Sequence, residues 1–490
     1  MNRIRLFSLR RLGVGLAALF TLAQAAAAAD ARTAQYRVRL LQAAPPKLAV
    51  AATLPIEGRA LEMETTRPVM PELDALGWPA LIANLRVSDA QGRPLPVTRT
   101  GPKGWLLDQP HSGPLKVEYE VDYSPLAARG WPAPREAAFA DASHIVVIGR
   151  SLFLTTPSVG SSDVTFDLPG GWLPVVPWGR GTGSEQAFGV GSSGDLTENL
   201  VVLSRSQPAA VTAGDFTLLV TTLGHWEPAR PEVQRVLGGV IPRLVRLMGF
   251  EDNESYSVVL LPTLERGGEA FRRSFAMTLD EPPSRANSAV WGNTIAHEVF
   301  HYWNGWRLRG ADYAASQWFQ EGFTEYAANL SMVNAGLISP DELRRKLSDH
   351  IGKAQKLTAS LEAGGSRKGP PLYSSGALVA FSWDLLIRDS TDGKRNLSDF
   401  LKSLWSQTES GRRPYEWRDL QAALEATAPL DWNAFYNAHI RGSRSVPLSE
   451  ILPRAGLRLG QAEDGSPHVE IDPAASAKAK ALWQALVEGR

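Results

Sequence analysis

The residues with the clearest chemical potential are His297-Glu298-Val299-Phe300-His301. On a helix of 3.6 residues per turn, positions four apart lie on one face, so both imidazoles can bind one cation. Glu298, beside the first histidine, can reach a water on that cation without being a ligand itself. Such a base is needed because a bound metal lowers the pKa of water toward about 7 and a carboxylate completes removal of the proton. A catalytic zinc site takes three protein ligands and keeps a fourth position open. The run Trp318-Phe319-Gln320-Glu321-Gly322-Phe323-Thr324-Glu325-Tyr326 supplies the third, because Glu321 follows His301 by twenty positions. Two helices joined over that length can pack antiparallel and bring the acid to the histidines. Two His and one Glu are a catalytic zinc donor set. Glu325, one turn beyond Glu321, is expected to accept a histidine N–H and fix that ring's tautomer.

Composition narrows the alternatives. The 490 residues include no cysteine, so disulfides, thiolate zinc sites, iron–sulfur clusters and cysteine nucleophiles are excluded. Any metal must be held by His, Asp or Glu. The 51 basic and 51 acidic residues cancel, and bulk charge gives no reason to expect a nucleic-acid partner. One zinc per chain is the expectation, against a rival in which the zinc is a non-catalytic scaffold. Intact Glu298 disfavours that rival, since a purely structural zinc closes its fourth position with protein.

The elements that must position these groups fall into four segments. Residues 1–29 read as a signal peptide. Arg3, Arg5, Arg10 and Arg11 form a positive start, Leu12 to Leu22 a short apolar core, and Ala27-Ala28-Ala29 a small-residue cleavage pattern. The rival, an uncleaved anchor, would need about 20 apolar residues. A periplasmic or secreted protein follows, with no stable membrane anchor after cleavage. Residues 30–225 read as a β-sandwich-like domain, clearest in the alternation Val117-Glu118-Tyr119-Glu120-Val121. Further β-rich runs are Leu61–Thr65, His144–Thr155, Val164–Leu168, Leu200–Ser204 and Phe216–Thr222. Residues 226–446 form the catalytic segment. It opens with Val233, Val236, Leu237, Val240, Ile241, Leu244, Leu247 and Met248 at helical spacing, then has a short buried strand at Val258–Leu261. Helices are expected at Ala289–Asn304, Trp318–Asn334, Pro340–Lys356, Ser374–Asp389 and Leu397–Trp405, with a loop over Ala363–Pro371. Residues 447–490 form a short C-terminal segment with a last helical stretch at Ala474–Val487. Arg272 and Arg273 read as a solvated pair. His111, His144, His225, His350, His439 and His468 form no ligand spacing.

The motifs HEVFHYWN at His297–Asn304, WFQEGFTEY at Trp318–Tyr326 and Tyr373-Ser374-Ser375-Gly376 resemble the gluzincin metallopeptidases. The chain looks most like the glycyl aminopeptidase family, related to the membrane-alanyl-type aminopeptidases. The resemblance implies a thermolysin-like, mainly helical α+β catalytic domain behind the β-rich one. It implies His297, His301 and Glu321 as zinc ligands, Glu298 as base and Tyr373 as the phenol that binds the oxyanion. It points to Glu269, in Arg266-Gly267-Gly268-Glu269-Ala270, as the carboxylate that holds the substrate ammonium, with Gly267 and Gly268 letting the backbone approach substrate. It implies a peptide substrate and removal of its small, Gly- or Ala-like N-terminal residues. The family's PDZ module has no room after residue 447, and the shortened Gly-Gly-Glu segment keeps a zinc endopeptidase as the alternative.

Overall fold

A computed structural model describes residues 32–63, 76–127, 139–181, 186–248, 254–263, 266–365 and 369–490. The signal-peptide expectation at 1–29 lies outside these. The chain divides into two compact units: Met1–Gln207 with Gly267–Ala276, and Pro208–Arg266 with Met277–Arg490.

The first unit is built of strands. In chain order they are β1 (Thr33–Gln42), β2 (Lys47–Glu62), β3 (Ile82–Ser88), β4 (Val97–Arg99), β5 (Gly104–Asp122), β6 (Phe139–Ala140), β7 (His144–Ile148), β8 (Ser161–Asp167), β9 (Leu173–Val175), β10 (Gly179–Arg180), β11 (Ala187–Val190) and β12 (Leu200–Ser204). The large sheet runs β10-β11-β8-β1-β2-β5-β3, with β4 paired to β5, and a smaller one runs β6-β7-β12-β9. Alternation along β5 buries Leu115, Val117, Tyr119 and Val121 while Lys116 and Glu118 face solvent. These inward residues share one apolar core with Ile145, Val147, Val201 and Leu203 of the smaller sheet. Buried phenols are satisfied by backbone: Tyr119 Oη donates to the Leu152 carbonyl at 2.8 Å and Tyr36 Oη to that of Leu154 at 2.9 Å. The expected run His144–Thr155 is a strand only to Ile148; Gly149–Leu152 forms a helical turn. That turn needs glycine, because a Cβ on Gly149 would stand 2.0 Å from the Leu196 carbonyl oxygen.

The second unit opens with strands β13 (Ala209–Ala213), β14 (Phe216–Thr222) and β15 (Ser255–Pro262). β13 and β14 pair antiparallel, and β14 and β15 pair parallel. The contact division therefore falls at 207/208, ahead of the 225/226 boundary read from the sequence. The β13–β14 hairpin resembles the strands before it in composition, yet its pairing partner β15 lies beyond the first helix.

The helices are α1 (Arg230–Met248), α2 (Ser288–Trp303), α3 (Gln317–Asn334), α4 (Pro340–Ala354), α5 (Pro370–Ser390), α6 (Leu397–Gln407), α7 (Trp417–Thr427), α8 (Trp432–His439) and α9 (Ala477–Glu488). α1 buries the expected stripe from Val233 to Met248 except Leu247, which is half-buried, and continues through Pro242. α3 is buried on nearly every side, as the central helix of a bundle should be. Ser339 and Glu342 close a reciprocal capping box at the start of α4.

α5 begins at Pro370 and not after the loop expected over Ala363–Pro371. Two prolines occupy its first positions, where no intrahelical N–H is required. Helices α7 and α8 were not expected, and the C-terminal segment contains a hairpin, Leu457–Gln461 with Pro467–Ile471, before α9. Among the described residues, no helix is long and apolar enough to cross a membrane.

Candidate metal centre and peptidase site

His297 and His301 sit on successive turns of α2, and Glu321 lies in the second turn of α3. The His297 and His301 Nε2 atoms are 3.1 Å apart, and Glu321 Oε2 lies 3.6 Å from the first and 3.2 Å from the second. Among the described residues, this is the group of three His, Asp or Glu donors that converges on one point. Ligand atoms around a tetrahedral zinc with bonds of about 2.0–2.1 Å stand roughly 3.3 Å apart, so the spacing fits that ion.

The second nitrogen of each ring supports the same fit. His297 Nδ1–H donates to Glu325 Oε2 at 3.2 Å, and His301 Nδ1–H donates to the Asn304 carbonyl at 3.2 Å. Both neutral rings therefore turn an Nε2 lone pair toward the carboxylate, an arrangement that requires a cation or a proton at its centre. Without a metal, a proton takes that place. Burial alone would lower the His297 pKa, but hydrogen bonds to Glu321 and Glu325 and the charge of Glu298 push it up to about 10. Burial would raise the Glu321 carboxyl, and the two imidazoles outweigh that and hold it well below the usual carboxylate range.

Asn304 explains how α2 and α3 are registered. It is fully buried, and its Nδ2 donates to the Phe319 and Gln320 carbonyls, both at 3.1 Å, immediately before Glu321. One residue thus orients His301 through its carbonyl and the Glu321 helix through its side chain.

Glu298 is half-buried on α2. Tyr373 lies in the first turn of α5, its ring centroid 6.4 Å from that of His297. Burial, then the charges of Glu321 and Glu298, push the Tyr373 phenol above its ordinary value near 10, so it is protonated and able to donate.

Glu269, Gly267 and Gly268 belong to the first unit, in β16 (Gly267–Ala270), which turns through Phe271 into β17 (Ser274–Leu279). Gly268 has a packing reason of its own, since a Cβ there would meet Phe275 Cζ at 2.4 Å. The turn is pinned by Asn199, whose Oδ1 accepts from the Arg273 N–H at 2.7 Å and from Ser274 Oγ at 3.2 Å. Arg272 and Arg273 both approach Asp195, at 3.0 and 3.5 Å. The solvated-pair reading thus fails for Arg273, whose side chain is only 11% exposed, because its acid partner is distant in sequence. His350, left without a role above, is buried in the second unit against Glu325, Asn329 and Ser374. Its sequence neighbourhood carries no motif that could have singled it out.

Residues 291–363 match the model of the M61 glycyl aminopeptidase, and residues 72–186 that of the Peptidase M61 N-terminal domain. The chain is a zinc metallopeptidase with two segments that match M61 models. The fold of this peptidase is shared by an aminopeptidase N family protein from Idiomarina loihiensis, at 18% identity over 89% of this chain and 81% of that one, with a TM-score of 0.69. An M1 zinc metallopeptidase from Deinococcus radiodurans matches at 17% identity over 85% of this chain and 94% of that one, with a TM-score of 0.50. No curated protein sequence matches the peptidase.

Proposed function

We propose that this peptidase is exported and removes single, small N-terminal residues from peptides. The observation that carries the reading is the convergence of His297, His301 and Glu321 beside Glu298 and Tyr373. Bound at the three donors, zinc supplies Lewis-acid chemistry, lowering the pKa of water and polarising a carbonyl. Glu298 accepts the proton of the attacking water and returns it to the departing amine nitrogen. The Tyr373 O–H donates to the carbonyl oxygen as negative charge develops there, a bond stronger in the transition state than in the substrate. The Glu325 carboxylate keeps the His297 proton on Nδ1, which leaves Nε2 free to coordinate. Glu269 holds the free α-ammonium of the substrate. Export rests on the basic-then-apolar pattern of residues 1–29, and one zinc per chain on the one such donor cluster among the described residues.

An endopeptidase of the same fold is the second reading, favoured by the shortened Gly267-Gly268-Glu269 segment. The test is digestion of a mixed pool of free and N-acetylated peptides, followed by mass spectrometry, with Glu298→Gln alongside. Loss of single residues from free N-termini alone supports the aminopeptidase. Internal cuts in both pools would replace it with the endopeptidase. No cleavage by a zinc-loaded wild type would favour the non-catalytic scaffold.

A further inference from the structure

We propose that His350 is a positioning residue of the peptidase site, joining the acid that orients His297 to the helix that carries Tyr373. The inference rests on the reading of His297, His301 and Glu321 as metal ligands.

His350 lies on α4, 8% exposed, between α3 and α5. The hydrogen bonds around it fix its tautomer. Asn293 Nδ2 on α2 donates to Asn329 Oδ1 on α3 at 3.1 Å, so the Asn329 amide nitrogen faces the other way. That nitrogen donates to Glu325 Oε1 at 2.9 Å and lies 3.4 Å from His350 Nε2, which must therefore accept. The one ring proton of a neutral His350 then sits on Nδ1 and is donated to Ser374 Oγ at 3.0 Å. Burial lowers the His350 pKa, which agrees with a neutral ring.

Two limbs leave this side chain. One runs through Asn329 to Glu325, whose other oxygen accepts from His297 Nδ1 at 3.2 Å. The other ends at Ser374, buried and adjacent to Tyr373 in the first turn of α5. A side chain on α4 thereby ties the orientation of a ligand on α2 to the placement of the phenol on α5. Loss of the imidazole leaves the Asn329 N–H and the Ser374 hydroxyl short of a partner in the interior, and each can relax only by moving.

The test compares His350→Leu, His350→Gln and Ser374→Ala with wild type. Gln offers a donor and an acceptor at similar reach; Ser374→Ala cuts the Tyr373 limb alone. Zinc affinity is measured by chelator competition, kcat and KM on a free peptide at saturating zinc, and the His350 tautomer by nitrogen NMR of the metal-free protein. Expected are zinc binding weakened about 10- to 100-fold in His350→Leu, kcat lowered about tenfold or more with KM little changed, and substantial recovery of both in His350→Gln. Ser374→Ala should lower kcat and leave zinc affinity unchanged. The NMR signal should place the proton on Nδ1.

Wild-type zinc affinity and kcat in His350→Leu would overturn the proposal. So would equal impairment of the Leu and Gln variants with a common loss of melting temperature, which would make His350 a packing residue. A proton on Nε2 would overturn it as well. If His350→Leu does not fold, His350→Gln and Ser374→Ala decide, and wild-type kcat in Ser374→Ala removes the Tyr373 limb. The underlying site reading fails by a different result: zinc binding unchanged in His297→Ala.

Discussion

Gly322 on α3 and Gly376 on α5 meet backbone to backbone. A Cβ on Gly322 would stand 2.3 Å from Gly376 Cα, and one on Gly376 would stand 2.1 Å from the Trp318 carbonyl oxygen. The contact brings together the turns that carry Glu321, next to Gly322, and Tyr373, three residues before Gly376. Close packing here requires the absence of side chains, and it sets the distance between the Glu321 carboxylate and the Tyr373 phenol. Gly322→Ala must push the helices apart, because the atoms it meets are backbone. The expected cost is at least about 1–3 kcal/mol, with a melting temperature several degrees lower and a fall in kcat. Thermal unfolding and steady-state kinetics check this, and an unchanged melting temperature would show that the two helices separate freely.

Glu298 is the one acid of the motif that the geometry leaves outside the ligand group. Glu298→Gln should therefore retain zinc at wild-type stoichiometry and lose about 100-fold or more in kcat, the range of general-base catalysis. Metal analysis beside kinetics is the check. Loss of zinc together with activity would make Glu298 a ligand or a structural acid.

Removal of zinc with a chelator should lower the melting temperature, since a ligand bound only to the folded state stabilises it by mass action. The difference should vanish in His297→Ala. An equal chelator effect in that variant would place the stabilising ion elsewhere.

The raised His297 pKa makes metal uptake a proton exchange. In the metal-free protein its folded value, about 10, exceeds the ordinary value. The imidazolium's pairing with Glu321 and Glu325 thus contributes stability in full below pH about 6.5, and this is lost as pH rises through about 10. At pH 8 zinc must displace that proton, and roughly one proton per zinc should be released. Calorimetry in two buffers of different ionisation enthalpy measures it, and identical heats in both would contradict the assignment.

Glu269→Gln should raise KM for peptides with a free N-terminus, with little change in zinc content. Equal kinetics for free and N-acetylated peptides in the wild type would remove its role as an amine anchor.

Much of the catalytic centre was legible because it is local. The His297–His301 spacing is a property of one helix turn, and Glu321 follows on the next helix within a span that leaves few ways to pack. The alternation of β5 and the stripe of α1 were equally readable, each being set by the period of its own element. The β13–β14 hairpin lies across the contact division from the strands it resembles, because strand composition does not say which strand will pair. The α5 start was missed because paired prolines mark a loop or a first helical turn equally well.

Residue types and spacing alone carry the donor set and the order of a β-rich unit followed by a helical one. It took the packed chain to show that Asn304 registers α2 against α3, that Arg273 pairs with Asp195, and that His350 stands between Glu325 and Ser374. Those partners are 15 to 78 positions apart, with no shared periodicity. Their meeting depends on how closely the elements pack, and at Gly322 and Gly376 the closeness comes from side chains that are not there.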